Sequence, residues 1–198
     1  MIFCSRPLVY NDDTWAFETS PDQIGCNEYL QALRSHLEGA KVLHIGIGNS
    51  SVLIQFHECF RQIDGITIMD SEIRVANGLR RLFSLEYVVH KFNKYDATYI
   101  HKLATDYDVV IDNNLKQHAC CQNHWVDYFY ALLERLAPNG FLLTHTQGFA
   151  PHSNRVLPLS TQELEVLCSK YSKRVFHVEP IELLVNSQHH YPVVIRGL

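Results

Sequence analysis

A strand, a glycine-rich turn and a helix follow one another between residues 42 and 60, and this unit constrains the fold more than any other feature. The run from Val42 to Ile45 is apolar and predicts a short buried strand. Gly46 and Gly48 then form a turn with little side-chain bulk. Helical spacing follows on one apolar face, which consists of Val52, Leu53, Phe56 and Phe60. Such a unit presents free backbone N–H groups at a helix N-terminus, beside a cleft.

An acidic residue closes the next apolar run. The segment from Gly65 to Asp70 predicts a second strand that ends on a carboxylate. A carboxylate at that place can accept hydrogen bonds from both hydroxyls of an adenosine ribose that lies over the glycines. Together the turn and the acid predict a nucleoside cofactor. The alternative for Asp70 is a cap for a helix that starts at Ser71.

Strand and helix patterns alternate along most of the chain after residue 28. Further apolar runs predict strands at residues 86–90, 108–112 and 141–144. Two late strands, Arg174–Leu184 and Tyr191–Ile195, have no helical pattern between them. The alternation predicts an α/β fold with a mainly parallel sheet, and the late pair predicts one antiparallel strand. Ligands bind such sheets at the carboxyl ends of the strands, where Asp112 and the glycine turn fall.

Bulk composition is that of one soluble α/β domain. The chain has 198 residues, of which 46% are hydrophobic and 19% charged, and this excludes a disordered class. A net charge of −4 argues against a broad nucleic-acid-binding surface, and no apolar run approaches the ~20 residues that span a bilayer. The N-terminus lacks a signal-peptide pattern, and the six cysteines have no regular spacing. We therefore expect a cytoplasmic protein, without membrane association, whose oligomeric state is open.

The motifs resemble those of class I S-adenosylmethionine-dependent methyltransferases over residues 27–198, and they are nearest in pattern to bacterial small-molecule and sugar O-methyltransferases. The resemblance rests on the segments Glu28-Tyr-Leu-Gln-Ala-Leu33, Val42-Leu-His-Ile-Gly-Ile-Gly-Asn-Ser-Ser51, Phe56-His-Glu-Cys-Phe60 and Asp108-Val-Val-Ile-Asp-Asn-Asn114. It implies a three-layer Rossmann-like sheet in the order 3-2-1-4-5-7-6, with strand seven antiparallel. It also implies S-adenosylmethionine as cofactor and methyl transfer to a hydroxyl or amine of a small-molecule acceptor. Residues 1–26 precede the domain and resemble a segment that folds over the donor as a lid.

The resemblance also assigns roles to individual residues. The residues implied to bind the methyl donor, S-adenosylmethionine, are Gly46, Gly48, Asn49, Ser50, Ser51, Asp70, Asp96 and Asp112. Asp96 resembles the acid that contacts the adenine amino group, and its alternative is an ordinary loop aspartate. Asp112 and His118 are the catalytic candidates, with His118 as the base that removes a hydroxyl proton. The residues implied to contact the methyl acceptor are Tyr10, Trp15 and Asn113. The alternative for the two aromatic residues is packing against the outer helices.

Departures from the family pattern keep other functions open. His44 stands where the family has an acid that helps bind the methionine ammonium, and Ser50 replaces a common third glycine. Both departures favour, as an alternative, a non-catalytic module that binds S-adenosylmethionine. Asn113 and the run Thr144-His-Thr-Gln147 replace the acids of metal-dependent members, so we predict no metal site. An aminopropyl transferase on the same fold is a further alternative, whereas an NAD-dependent enzyme is disfavoured because a third fingerprint glycine is missing.

Overall fold

A computed structural model describes residues 21–116, 119, 121–145, 159–185, 188–190 and 192–198. Its α-helices are α1 (Pro21–Ala32), α2 (Ser51–Phe56), α3 (Asp70–Phe83), α4 (Ala97–Ile100), α5 (Gln122–Leu133) and α6 (Thr161–Lys170), with a 3₁₀ helix at Arg34–His36. Its strands are β1 (Ala40–Ile45), β2 (Phe60–Thr67), β3 (Tyr87–Lys91), β4 (Tyr107–Asp112), β5 (Leu136–His145), β6 (Phe176–Pro180), β7 (Leu183–Val185), β8 (Gln188–His190) and β9 (Pro192–Gly197).

Seven strands form one sheet in the order β3-β2-β1-β4-β5-β9-β6. β1 pairs in parallel with β2 on one side and β4 on the other, whereas β9 runs antiparallel to both β5 and β6. The strands β7 and β8 form a separate two-stranded hairpin between β6 and β9. With β9 as the seventh strand of the sheet, the predicted order 3-2-1-4-5-7-6 and its single antiparallel strand are confirmed.

The central strand β1 is buried along its whole length because both faces of the sheet are covered. Successive side chains of a strand point to opposite faces. Leu43 accordingly packs in the core that contains Trp125 of α5, whereas Val42 packs in the core that contains Phe56 of α2. The sheet therefore separates two apolar layers, and the carboxyl ends of the parallel strands meet at one edge between them.

Three element boundaries differ from the sequence-based prediction. β2 begins at Phe60 and ends at Thr67, so Asp70 is the first residue of α3 and does not close the strand. The polar residues early in β2 concealed the strand because Arg61 and Gln62 are exposed or partly exposed. β5 begins at Leu136, ahead of the strand predicted at residues 141–144, and has an irregular register against β4. The late segment forms a hairpin where one long strand was predicted.

The N-terminal boundary of the domain also bears on the site. α1 begins at Pro21 and includes Cys26, which is fully buried in the core on the α2 side. The helix thus crosses the boundary predicted between residues 26 and 27, and its second half packs with the sheet. Residues 1–20 lie outside the described part, so the lid role of residues 1–26 stays a prediction. Among the residues that the structure describes, no helix is long and apolar enough to cross a lipid bilayer.

Candidate ligand site at the carboxyl ends of the strands

The turn after β1 contains three residues with left-handed backbone conformation. Gly46, Gly48 and Ser50 have φ angles of 69°, 54° and 61°. Glycine adopts this region at no steric cost, whereas a serine there is strained by about 1–2 kcal/mol. Gly46 is tied to β2 because its N–H donates to the carbonyl of Ile66 at 2.8 Å. A Cβ on Gly46 would meet no atom within 4 Å, so the space beside the turn is open to a ligand.

Side-chain hydrogen bonds hold the last residues of the turn in place. The Asn49 side chain accepts a hydrogen bond from Ser51 N–H at 3.0 Å, and Asn27 of α1 donates to the Ser51 hydroxyl at 3.4 Å. Ser50 as a whole has no exposed surface, and its N–H donates to the carbonyl of Ile47 at 2.9 Å. A ligand at the turn would therefore contact the exposed Gly46 and not Ser50. The predicted donor-binding residues 46–51 form one continuous element.

Glu72, in the first turn of α3, is a buried acid that the sequence analysis did not select. Its Oε2 atom accepts hydrogen bonds from Gly48 N–H at 3.2 Å and from the Thr67 hydroxyl at 2.6 Å. Only 6% of the residue is exposed, and burial raises the pKa of its carboxyl. A sequence signal was available, because Glu72 shares the buried helix face of Ala76, one turn later.

The two acids predicted to contact adenosine are both exposed. Asp70 begins α3, and its two oxygens each lie 2.6 Å from Nζ of Lys91, at the end of β3. Asp96 accepts a hydrogen bond from Thr98 N–H at 3.0 Å and so caps the short helix α4. Both acids lie at the carboxyl edge of the sheet, but each already accepts a hydrogen bond from a neighbour. A ligand would share these carboxylates with the neighbours, since an ionised carboxylate accepts about four hydrogen bonds.

Asp112, the last residue of β4, is buried in a charged cluster. The ammonium of Lys94 lies 2.9 and 3.2 Å from its two oxygens and also donates to the carbonyl of Asn114. The Tyr128 hydroxyl donates to Oδ2 at 2.7 Å, and Asn114 N–H donates to Oδ1 at 3.0 Å. Burial lowers the pKa of Lys94, an effect that Asp112 opposes. Because both oxygens have donors, Asp112 could accept a proton only by losing one of them, and its catalytic role stays a prediction.

His44 lies on β1, opposite Gly65 of β2 and Ile111 of β4. It is 2% exposed, and burial lowers its pKa to about 4, although the nearby Asp112 carboxylate opposes this shift. The imidazole is therefore neutral at pH 7. At the position where the family that the motifs resemble has an acid, this chain has a neutral ring.

The remaining predicted contacts are divided between described and undescribed residues. Asn113 is buried, and its Oδ1 accepts a hydrogen bond from the thiol of Cys26 in α1. Asn113 therefore ties α1 to the end of β4. His118, Tyr10 and Trp15 lie outside the described residues, so their roles as base and acceptor contacts stay predictions.

The buried Lys116 fixes the segment that follows Asn113. Lys116 Nζ lies 2.8 and 2.9 Å from the two oxygens of Glu163 in α6. The indole N–H of Trp125 in α5 donates to the same carboxylate at 3.3 Å. The Ser160 hydroxyl, the N-cap of α6, accepts a hydrogen bond from Glu163 N–H. These contacts hold the end of β4, the core of α5 and the start of α6 together.

Comparison with known proteins identifies the fold. No protein-family model and no curated protein matches the sequence. Among solved structures, the N-methyltransferase NodS from Bradyrhizobium japonicum WM9, in complex with S-adenosyl-L-homocysteine, is 14% identical with a TM-score of 0.63 over 96% of this chain and 94% of that one.

Two further structures are similar to a comparable degree. The 1,6-didemethyltoxoflavin-N1-methyltransferase from Burkholderia thailandensis, with bound 1,6-didemethyltoxoflavin and S-adenosylhomocysteine, is 15% identical with a TM-score of 0.64 over 89% of this chain and 78% of that one. The [4+2]-cyclase SpnF is 14% identical with a TM-score of 0.62, over 92% and 84% of the two chains. At such identities the likeness shows the fold, which is the Rossmann-like fold of class I methyltransferases.

Proposed function

We propose that this protein is an S-adenosylmethionine-dependent methyltransferase that acts on a hydroxyl or amine of a small molecule. The observation that carries the proposal is the turn of residues 46–51, with its left-handed backbone and its open space over Gly46, at the carboxyl end of β1. On the same fold, two of the similar methyltransferases hold S-adenosylhomocysteine. A glycine turn at a strand end lets a ligand approach the backbone closely.

The residues at this edge fit the adenosine half of the cofactor. In our proposal Gly46 and Gly48 lie against the nucleoside, Asp70 accepts hydrogen bonds from the ribose, and Asp96 accepts one from the adenine amino group. Asp70 could accept these hydrogen bonds while its exposed ion pair with Lys91 remains, since an ionised carboxylate accepts about four hydrogen bonds.

When bound, the cofactor would supply a methyl group already activated on a sulfonium, so the protein has to align the acceptor and accept a proton. In our proposal His118 accepts the hydroxyl proton, while Asn113 and the aromatic side chains of Tyr10 and Trp15 orient the acceptor and exclude water. The ion pair of Lys94 and Asp112 keeps the end of β4 rigid and formally neutral.

A second candidate function is a non-catalytic module that binds S-adenosylmethionine. Two observations favour it: His44 is neutral where an acid is expected to hold the methionine ammonium, and both oxygens of Asp112 already have donors. The [4+2]-cyclase SpnF has the same fold, so an activity other than methyl transfer is an alternative. An aminopropyl transferase fits less well, because Asn113 and Asn114 stand where acids would bind a polyamine.

Isothermal titration calorimetry tests the proposal directly. We expect S-adenosylmethionine and S-adenosylhomocysteine to bind, and decarboxylated S-adenosylmethionine and NAD to bind more weakly. Asp70→Ala should weaken binding by about 1–3 kcal/mol, because it removes a charged acceptor from the ribose hydroxyls. Glu58→Ala, at an exposed site, is the matched control. Unchanged affinity in Asp70→Ala would refute the ribose assignment.

Release of S-adenosylhomocysteine separates the two candidate functions. An enzyme supplied with S-adenosylmethionine and candidate hydroxyl or amine acceptors turns over, whereas a binding module saturates without product. Cytoplasmic location and a small-molecule acceptor as the main partner are parts of the same proposal, and cell fractionation of the tagged protein tests the first of them.

A further inference from the structure

We propose that this protein forms a two-fold symmetric dimer in which β6 pairs antiparallel with β6 of a second copy, with Val178 at the symmetry axis. β6 is the last strand of the sheet and is separated from β1 by β4, β5 and β9. The inference therefore goes beyond the proposed function, because it concerns the sheet edge remote from the glycine turn. The pairing makes the sheets of the two copies continuous.

The outer edge of β6 has backbone groups available for such pairing. No strand in the described part of the chain pairs with this edge. Leu198 N–H donates to the carbonyl of Val175 at 3.0 Å, and Ile181 N–H donates to that of Pro192 at 2.8 Å. Because backbone direction alternates along an antiparallel strand, the odd-numbered residues from 175 to 181 face β9. The backbone groups of residues 176, 178 and 180 consequently point outward, where a further strand can pair with them.

These outward groups match an antiparallel pairing centred on Val178. Val178 and the partner's Val178 would each donate N–H to the other's carbonyl, and Phe176 N–H would donate to the partner's Pro180 carbonyl. Pro180 has no N–H, but the missing donor is on the outer side, so the pairing with β9 loses nothing. An edge strand tolerates a proline at such a position.

Charge complementarity supports this register. His177 would lie opposite the partner's Glu179, at a pair that backbone hydrogen bonds do not join and where side chains are closest. His177 is exposed, and an imidazole N–H donates to a carboxylate whether or not the ring is charged. The Glu179 carboxylate lies 3.6 Å from Nε of Arg196, and an ionised carboxylate accepts about four hydrogen bonds. The two-fold axis creates the His–Glu pair twice.

Apolar side chains meet at both ends of the paired segment. Val175 is 66% exposed and would lie opposite the partner's Ile181, on the same face as the His–Glu pairs. Leu198, whose N–H bonds to Val175, is 78% exposed. A groove of about 340 Å³ between α6 and β6 is lined in part by Val175 and Phe176. Exposed apolar side chains that cluster at a strand edge are typical of a protein–protein contact, and the pairing would cover Val175.

The alternative two-fold register, centred on His177, fits less well. It also uses the outward backbone groups of residues 176 and 178, so backbone hydrogen bonding does not distinguish the two registers. It would, however, place the two His177 rings opposite each other and Val175 opposite the partner's Glu179. Only the register centred on Val178 sets His177 against a carboxylate and each apolar side chain against another.

Sedimentation equilibrium tests the dimer with variants at exposed positions. We expect wild type to be a dimer and His177→Glu to raise its dissociation constant roughly 30-fold, because two cross-strand pairs change from attractive to like-charged. His177→Lys, which keeps a donor opposite Glu179, should remain dimeric. His36→Glu, at an exposed site of the 3₁₀ helix, is the matched control and should also remain dimeric.

Disulfide cross-linking tests the register. At an antiparallel pair that backbone hydrogen bonds do not join, facing Cα atoms are about 4.5 Å apart, whereas diagonal neighbours are about 7–8 Å apart. Only the first distance allows a disulfide. A mixture of the His177→Cys and Glu179→Cys proteins should therefore form a covalent dimer on oxidation, whereas neither protein alone should. Wild type oxidised in the same way gives the background from the native cysteines.

The inference is overturned by a wild-type protein that stays monomeric, or by a dimer that His177→Glu leaves as tight as before. A cross-link of His177→Cys with itself, at the level of the mixture, would show the register centred on His177 and overturn the one proposed. If His177→Glu does not fold, the cross-linking result decides. None of these outcomes affects the proposed function, whose test is ligand binding.

Discussion

Acidification from pH 7 to pH 5 should destabilise this protein through His44. The imidazole is buried between β2 and β4, and its pKa is lowered from 6.5 to about 4. Between these values the unfolded chain takes up a proton that the native protein does not, so stability is highest above pH 6.5 and falls as the pH drops. Since one pH unit is worth about 1.4 kcal/mol, the full effect is about 3 kcal/mol, of which about 2 kcal/mol is lost by pH 5.

The effect is isolated by comparing wild type with His44→Asn, which has no titrating ring. Urea unfolding followed by circular dichroism at pH 7 and at pH 5 gives the free energy of unfolding for each protein. Other groups also contribute to the pH dependence of wild type. Glu72, whose pKa is raised by burial, acts with the opposite sign, because the native state holds its proton more tightly above pH 4.5. The difference between the two proteins removes this common background.

We expect the loss between pH 7 and pH 5 to be about 2 kcal/mol smaller in His44→Asn than in wild type. His36→Asn, at an exposed site of the 3₁₀ helix, is the matched control. If His44→Asn and wild type lose the same free energy, the ring is solvated or charged in the native protein. The statement that β1 carries a neutral group at the ligand edge would then be wrong.

Three further predictions concern the same edge of the sheet. Lys94→Met leaves the buried Asp112 charge without its counter-ion and should lower the free energy of unfolding, measured with denaturant, by about 3–5 kcal/mol. The Lys94→Met/Asp112→Asn double variant should recover most of this loss. A double variant that is no more stable than the single one contradicts the ion-pair account. His118→Ala should lower turnover by roughly 10²–10⁴-fold with donor affinity intact, as measured by release of S-adenosylhomocysteine, and full turnover in that variant excludes the base role. Methyl transfer should be insensitive to a chelator, and activity lost with EDTA and restored by Mg²⁺ would show that the prediction of no metal is wrong.

The mainly parallel sheet was predictable because apolar runs separated by helical spacing require parallel crossovers. Its strand order was expected only from the resemblance to class I methyltransferases, and the structure confirms that order. The hairpin of β7 and β8 was not predictable in the same way. Its strands have three residues each, too short for alternation to distinguish them from a turn.

The candidate site was predicted in part for a similar reason. The turn at residues 46–51 was recognisable because left-handed backbone favours glycine, and glycines stand at two of its left-handed positions, 46 and 48. The burial of Lys94 was not predictable from the sequence, because a lysine in a polar loop is usually exposed to solvent. The sheet places Asp112 of β4 beside its ammonium, and the packing of α5 adds Tyr128, so that the charge is enclosed.

The sequence by itself determined the class of fold, the glycine turn and the edge of the sheet where we propose a ligand site, since these follow from periodicity and from backbone conformations that few residues adopt. Tertiary structure alone decided which charges at that edge are committed to internal partners. Asp112 and Asp70 each have a lysine, and Glu72 has one oxygen against Gly48. Charge pairing depends on distances between residues far apart in the chain and on burial, neither of which a one-dimensional pattern contains.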